Sequence, residues 1–193
     1  MNDKDLDLIK DYLNGDEASF PKLVDIYLKS IFNFSYRIIG SEKDAEDITQ
    51  EIFLKVWKNL KKFDIEKSFK TWIFSIAKNT CIDYLRKKRD IPMSVFDDED
   101  GGNFIQDNLE SEESSPEEKI ILKENKKIFD EILKELSITQ REIIVMKYVN
   151  ELSLSEVAEI MNMPKDTVKS HHRRALLKMR DILNAPKSKK PTY

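Results

Sequence analysis

Cysteine, histidine, glycine and long hydrophobic runs are scarce in this chain, and each scarcity excludes something. Cys81 is the only cysteine, so no internal disulfide can form. The two histidines sit side by side at 171 and 172 and cannot complete a zinc set with one thiol. Four glycines and six prolines in 193 residues leave long stretches without breakers, which predicts helices and speaks against a turn-rich β architecture. No stretch approaches the roughly 18 apolar residues of a membrane span. The opening MNDKDLDLIKDYLNGDE is acidic and has no apolar signal-peptide centre. The expectation is a soluble, cytoplasmic protein without membrane insertion. No glycine-rich phosphate loop, nucleophile elbow, metal cluster or inward carboxylate pair is found. No catalytic residue, metal, cofactor or small-molecule substrate is therefore expected.

Charge is abundant and unevenly placed. The net charge of −3 conceals three blocks. Residues 1–90 carry 17 basic and 16 acidic groups, residues 91–119 one and ten, and residues 120–193 fifteen and ten. Two neutral-to-basic blocks thus flank an acidic bridge. The bridge, PMSVFDDEDGGNFIQDNLESEESSPEE, has little periodic hydrophobicity and reads as a flexible linker. The expected organisation is all-α: a helical domain over 1–90, the acidic linker over 91–119, a second small helical domain over 120–185 and a basic tail over 186–193. Gly15, Gly40 and the Phe63-Asp64 region break the helical pattern of the first block. In the second, Thr139 with Glu142 and Ser153 with Glu156 have capping-box spacing.

Residues 44–60, DAEDITQEIFLKVWKNL, form an amphipathic helix on the wheel. Ala45, Ile48, Ile52, Phe53, Val56 and Leu60 share one side. Asp44, Asp47, Glu51 and Lys58 share the other, with Gln50 and Leu54 at its edge and Trp57 at the boundary. Such a face is commonly just solvated. Here the acid is one-sided and Leu54 is apolar in its midst, which suits a partner with basic residues around a small apolar contact.

Residues 69–89, FKTWIFSIAKNTCIDYLRKKR, are apolar over more than half the wheel, as expected of a helix packed by several neighbours. The remaining arc holds Thr71, Ser75, Lys78, Asn79, Arg86 and Arg89, with Ile82 among them. Cations can neutralise phosphates, and an amide can pair with a base edge. Ser75, Lys78, Asn79 and Arg86 are the candidate nucleic-acid contacts, and the preceding Lys-Lys-Phe and Lys-Ser-Phe segments could stack or cradle unpaired bases. An ordinary polar face is the alternative.

Residues 153–183, SLSEVAEIMNMPKDTVKSHHRRALLKMRDIL, read as a helix-turn-helix. A capped helix carrying Val157, Ala158, Ile160 and Met161 ends at Asn162, which tolerates a left-handed turn, and Pro164 suits the first turn of the next helix. That helix groups Val168, Ala175, Leu176, Met179, Ile182 and Leu183 on its apolar side. Thr167, Lys169, Ser170, His171, Arg173 and Arg174 are the candidate DNA contacts. His172 falls on the apolar face as a partly buried histidine.

These three features, in this order, resemble the extracytoplasmic-function (ECF) group of bacterial RNA polymerase sigma factors over nearly the whole chain. The resemblance implies that the first domain docks on the β′ clamp coiled coil of core polymerase through Asp47, Gln50, Glu51 and Leu54. It implies capture of an unpaired minus-10 base beside Lys78 and Asn79, and minus-35 reading by Lys169, Ser170, His171, Arg173 and Arg174. It further implies contact with the β flap, an anti-sigma factor as partner, and a linker that threads toward the polymerase cleft. Histidines occupy 171 and 172, where the family often shows a basic residue followed by an apolar one. The acidic linker is expected to restrain DNA binding by the free protein, a solvated spacer being the alternative. A conventional helix-turn-helix regulator with an N-terminal sensing or dimerisation domain is the competing functional reading.

Overall fold

A computed structural model describes residues 3–89 and 126–184 of the chain. The acidic bridge and the basic tail, with the expectations attached to them, lie outside these residues. Among the described residues there is no strand, and no helix is long and apolar enough to cross a membrane. The first unit comprises α1 (Asp3–Leu13), α2 (Ser19–Ile39), α3 (Glu42–Asn59), a 3-10 turn (Leu60–Lys62) and α4 (Phe69–Arg89). The second comprises α5 (residues 126–134), α6 (Ile138–Ile144) continuing into a π turn (Val145–Val149), α7 (Leu154–Met161) and α8 (Lys165–Asn184).

Local chemistry sets the boundaries. Gly40 closes α2 at φ 80°, a left-handed position that glycine adopts without strain, and its N–H donates to the Tyr36 carbonyl. Ser41 then caps α3 by accepting from the Asp44 N–H. Pro21 stands in the first turn of α2, where a missing N–H costs no helical bond. The capping box at 153 and 156 forms as expected. The one at 139 and 142 does not. Ser137 caps α6 with Gln140 in the reciprocal position, so the helix starts two residues earlier and Glu142 lies inside it. Ser137 stands immediately before Ile138, the first apolar residue of the helix, and that placement decides between two overlapping patterns. Replacing Ser153 with Ala should lower stability by about 1 kcal/mol. A chemical denaturation curve reads the change, and no loss would mean that the α7 cap contributes nothing.

In the first unit Ile31, Phe34 and Ile38 of α2 meet Ile52 and Val56 of α3 and Ile73, Phe74, Ala77, Cys81 and Leu85 of α4, all essentially inaccessible. The rings of Phe34 and Phe74 pack edge to face at 5.7 Å. Burying each large apolar side chain contributes about 1.5–3 kcal/mol, so this cluster holds the three long helices in fixed relation. The two units also touch each other. Lys70 Nζ on α4 donates to the Asn150 carbonyl at 2.7 Å, and Arg37 on α2 pairs with Asp130 on α5 at 3.2 Å. One continuous apolar cluster runs through both units.

Candidate nucleic-acid interface

The outer face of α3 matches its sequence reading. Ala45, Ile48, Ile52, Val56 and Leu60 are buried, Phe53 is half-buried, and Asp47, Gln50 and Glu51 are exposed. Leu54 is 55% exposed in their midst. Glu51 pairs with Lys55 one turn on at 2.7 Å, and Lys55 also donates to the Thr80 hydroxyl on α4. Sequence reasoning missed what α2 adds. Phe20, Val24 and Leu28 line an apolar groove of about 630 Å³ with Phe53, Leu54 and Trp57. The half-exposure of Trp57 and Leu28 is the signal that marks it, and only the pairing of α2 with α3 joins those residues.

On α4, Asn79 and Arg86 are exposed, whereas Ser75 and Lys78 are half-buried. The Ser75 hydroxyl donates to the Thr71 carbonyl, and Arg86 pairs with Asp83 one turn back at 3.0 Å. Beyond them Lys88 donates to the Asp44 carboxylate at 2.6 Å and lies over the Tyr84 ring. The Lys88 hydrogen bond, with a second from Tyr84, pulls the Asp44 carboxyl down to about 2. The cationic end of α4 is thereby tied to the start of α3.

The structure departs from the sequence reading of this region at three residues. Thr71, placed on the polar arc, is buried, and its hydroxyl has no hydrogen-bond partner. Phe63 and Phe69 are buried and pack against each other and against Trp72, so neither ring is free to stack on a base. Three aromatic side chains close together gain more from mutual burial than from solvent exposure.

In the second unit, α7 ends at Asn162 with φ 52° and ψ 45°, the left-handed turn its side chain tolerates. The chain then enters α8 through Pro164. Val168 and Ala175 are fully buried, and Ala158 on α7 is buried as well. Thr167, Lys169, Ser170, Arg173 and Arg174 are exposed, and His171 is half-buried at the edge of the same face. Lys169 pairs with Asp166 at 2.9 Å. The apolar side of α8 is less buried than expected toward its end: Leu176 is 39% and Leu183 60% exposed. With 20 residues, α8 outruns α6 and α7, which have seven and eight, and its last turns lack their cover. His172 is half-buried as read. Its Nε2 lies 3.0 Å from the Tyr148 hydroxyl, and the two rings stack. Burial, with Lys147 nearby, lowers its proton affinity below that of an ordinary histidine.

The geometry defines an all-helical protein of two units, the second a helix-turn-helix. Residues 23–91 match the family model of sigma-70 region 2, and residues 126–179 that of sigma-70 region 4. The chain is 36% identical to ECF RNA polymerase sigma factor SigW of Bacillus subtilis over 181 residues, covering 90% of this chain and 96% of the relative. It is 31% identical to the ECF sigma-E factor of Escherichia coli K12, covering 87% of this chain and 88% of the relative. Two solved structures share the fold. CnrH, solved with the cytosolic domain of CnrY, gives a TM-score of 0.71 at 21% identity over 95% of this chain and 99% of that one. RpoE of Bartonella quintana, solved with the anti-sigma factor NepR, gives 0.67 at 24% identity over 87% of this chain and 98% of that one. The chain belongs to the ECF RNA polymerase sigma factors, and its function is to direct promoter recognition for transcription initiation. Family membership selects this reading over the conventional regulator.

Proposed function

We propose a division of labour among three helix faces. The α3 face of Asp47, Gln50, Glu51 and Leu54, with the apolar groove beside it, docks on the β′ clamp coiled coil. Ser75, Lys78, Asn79 and Arg86 on α4 take the minus-10 region. Thr167, Lys169, Ser170, His171, Arg173 and Arg174 on α8 take the minus-35 region, and the second unit also meets the β flap. The observation that carries this reading is Leu54, 55% exposed and ringed by exposed Asp47, Gln50 and Glu51 on a helix whose opposite side packs into the core. A half-exposed leucine beside an apolar groove, rimmed by acid, suits a helical partner with basic residues around an apolar seam.

The protein carries out no chemistry of its own on this reading and works in the cytoplasm, where the polymerase supplies catalysis. It lowers the free energy of melted promoter DNA by binding unpaired bases better than the duplex. An anti-sigma factor is a further proposed partner, since RpoE of Bartonella quintana was solved with one. The Asn79→Ala substitution tests the melting role. Asn79 is exposed, so the fold should stand. Open-complex formation should fall more than closed-complex binding, and a pre-melted template should restore much of it. An equal defect on duplex and pre-melted DNA would contradict base capture by Asn79.

A further inference from the structure

Few side chains of α8 are deeply buried. Of its 20 residues, Val168 and Ala175 are fully inaccessible. They are two helical turns apart and fall nearly on one line along the axis. Met179, packed against the core further on, lies close to the same line, about 20° around the axis from Val168. Contacts on one line fix where a helix sits and leave its roll about that line weakly determined. A contact to one side is needed to set the roll, and His172 supplies it. It stands about 40° around the axis from Val168 and about 60° from Ala175. It is half-buried in the middle of a stretch whose Lys169, Ser170, Arg173 and Arg174 are exposed.

The partner of His172 is Tyr148. The two rings stack with centroids 5.6 Å apart and planes 22° from parallel, and Nε2 lies 3.0 Å from the phenolic oxygen. Burial and Lys147 lower the proton affinity of His172, so at neutral pH the ring is uncharged and one nitrogen can accept the phenolic proton. Tyr148 belongs to the π turn, and the backbone around it is firmly placed. Val145 and Met146 are inaccessible. The Val145 carbonyl accepts from the Asn150 N–H at 3.1 Å, and the Met146 carbonyl from the Leu152 N–H at 3.0 Å. A π turn is rare and often accompanies a functional site. Yet the Tyr148 side chain is 52% exposed. A ring left half in water adds little to the core. What this ring covers is His172.

We propose that Tyr148 is a positioning residue for upstream-element recognition: through its stack and hydrogen bond with His172 it locks the roll of α8, and with it the angle at which Ser170 and Arg173 meet base edges. The inference rests on the assignment of α8 to the upstream element. A small roll is enough to matter. Side-chain tips lie about 5–6 Å from a helix axis, so a roll of about 15° carries one sideways by about 1.5 Å. N–H···O distances span only about 2.7–3.2 Å, so a base-edge hydrogen bond is lost by that shift. A lysine on a phosphate survives it, because the ammonium is a point charge on a flexible stem and can follow its partner. The lock therefore governs which sequences are read and has little effect on how tightly DNA is held.

The test is competitive run-off transcription by the full chain with core polymerase. The readout is the ratio of transcript from a promoter with an intact upstream element to that from the same promoter with one base pair of the element changed. Tyr148→Ala should lower this ratio about tenfold toward unity, while binding to a scrambled element and its salt slope stay as in the wild type. Loss of fold would weaken all templates alike and leave the ratio unmoved. Tyr148→Phe, which keeps the stacked ring, should retain most of the preference. Arg173→Ala should lower the ratio by itself, and adding it to Tyr148→Ala should lower it little further, because both remove the same contact. An unchanged ratio in Tyr148→Ala, a phenylalanine no better than alanine, or additive losses in the double variant, as an independent DNA contact by Tyr148 would give, would overturn the proposal. If Arg173→Ala also leaves the ratio unchanged, the assignment of α8 fails. If Arg173→Ala lowers it and Tyr148→Ala does not, the lock fails and the assignment stands.

Discussion

Charge reversal at both Asp47 and Glu51 should raise the dissociation constant for core polymerase about a hundredfold, near 2.7 kcal/mol. The fold should be untouched. Both residues are exposed on α3, and the buried side of that helix is complete without them. Glu51 holds Lys55 at 2.7 Å, but the pair is half-exposed, so its loss costs little. What changes is the rim of the proposed docking face. An acid-rimmed patch around Leu54 becomes a basic one, and a partner presenting cations meets repulsion instead of attraction. Titration of labelled protein with core polymerase reads the constant, and a circular dichroism melt checks the fold. Unaltered affinity would remove α3 from the interface.

Replacing Arg173 and Lys169 together with Ala should abolish most initiation from promoters that depend on an upstream element and spare those that do not. Both side chains are exposed on the recognition helix, and neither packs in the core. A lost base contact costs about 1–3 kcal/mol and relaxes sequence preference at one position. A lost phosphate contact weakens binding to all sequences and lowers the salt slope by about one. Lys169 leans back on Asp166 in the first turn of α8, and Arg173 stands one turn further on. The expected division is that Lys169 mainly moves the salt slope and Arg173 mainly the sequence preference. Normal use of upstream-element promoters by the double variant would mean that α8 is not the reading helix.

Features that depend on local period and local chemistry could be read from the chain. The buried and exposed sides of α3, the left-handed turn at Asn162 and the cap at Ser153 each need only a few neighbouring residues. Features that depend on a distant partner could not. Thr71 sits on the polar arc of α4 yet is buried, because that arc meets the second unit, as Lys70 and Asn150 show across 80 residues of chain. Phe63 and Phe69 flank a loop in sequence and converge only when the loop folds back on Trp72. The groove beside Leu54 needs Leu28 and Val24 from α2, which no periodicity within α3 reveals. The buried Glu142 was hidden by a competing signal, since Thr139-x-x-Glu142 and Ser137-x-x-Gln140 both satisfy the capping pattern, and taking the first sets Glu142 at the helix end.

The most direct measurement is run-off transcription from a library of genomic promoters, using purified core polymerase with and without this protein. Core polymerase alone should yield no specific start sites. Adding the protein should produce a restricted set, sharing an upstream and a downstream element at one fixed spacing, and the Asp47 and Glu51 double reversal should erase it. Specific binding to the same promoters without polymerase, together with no new start sites in its presence, would contradict the sigma factor reading.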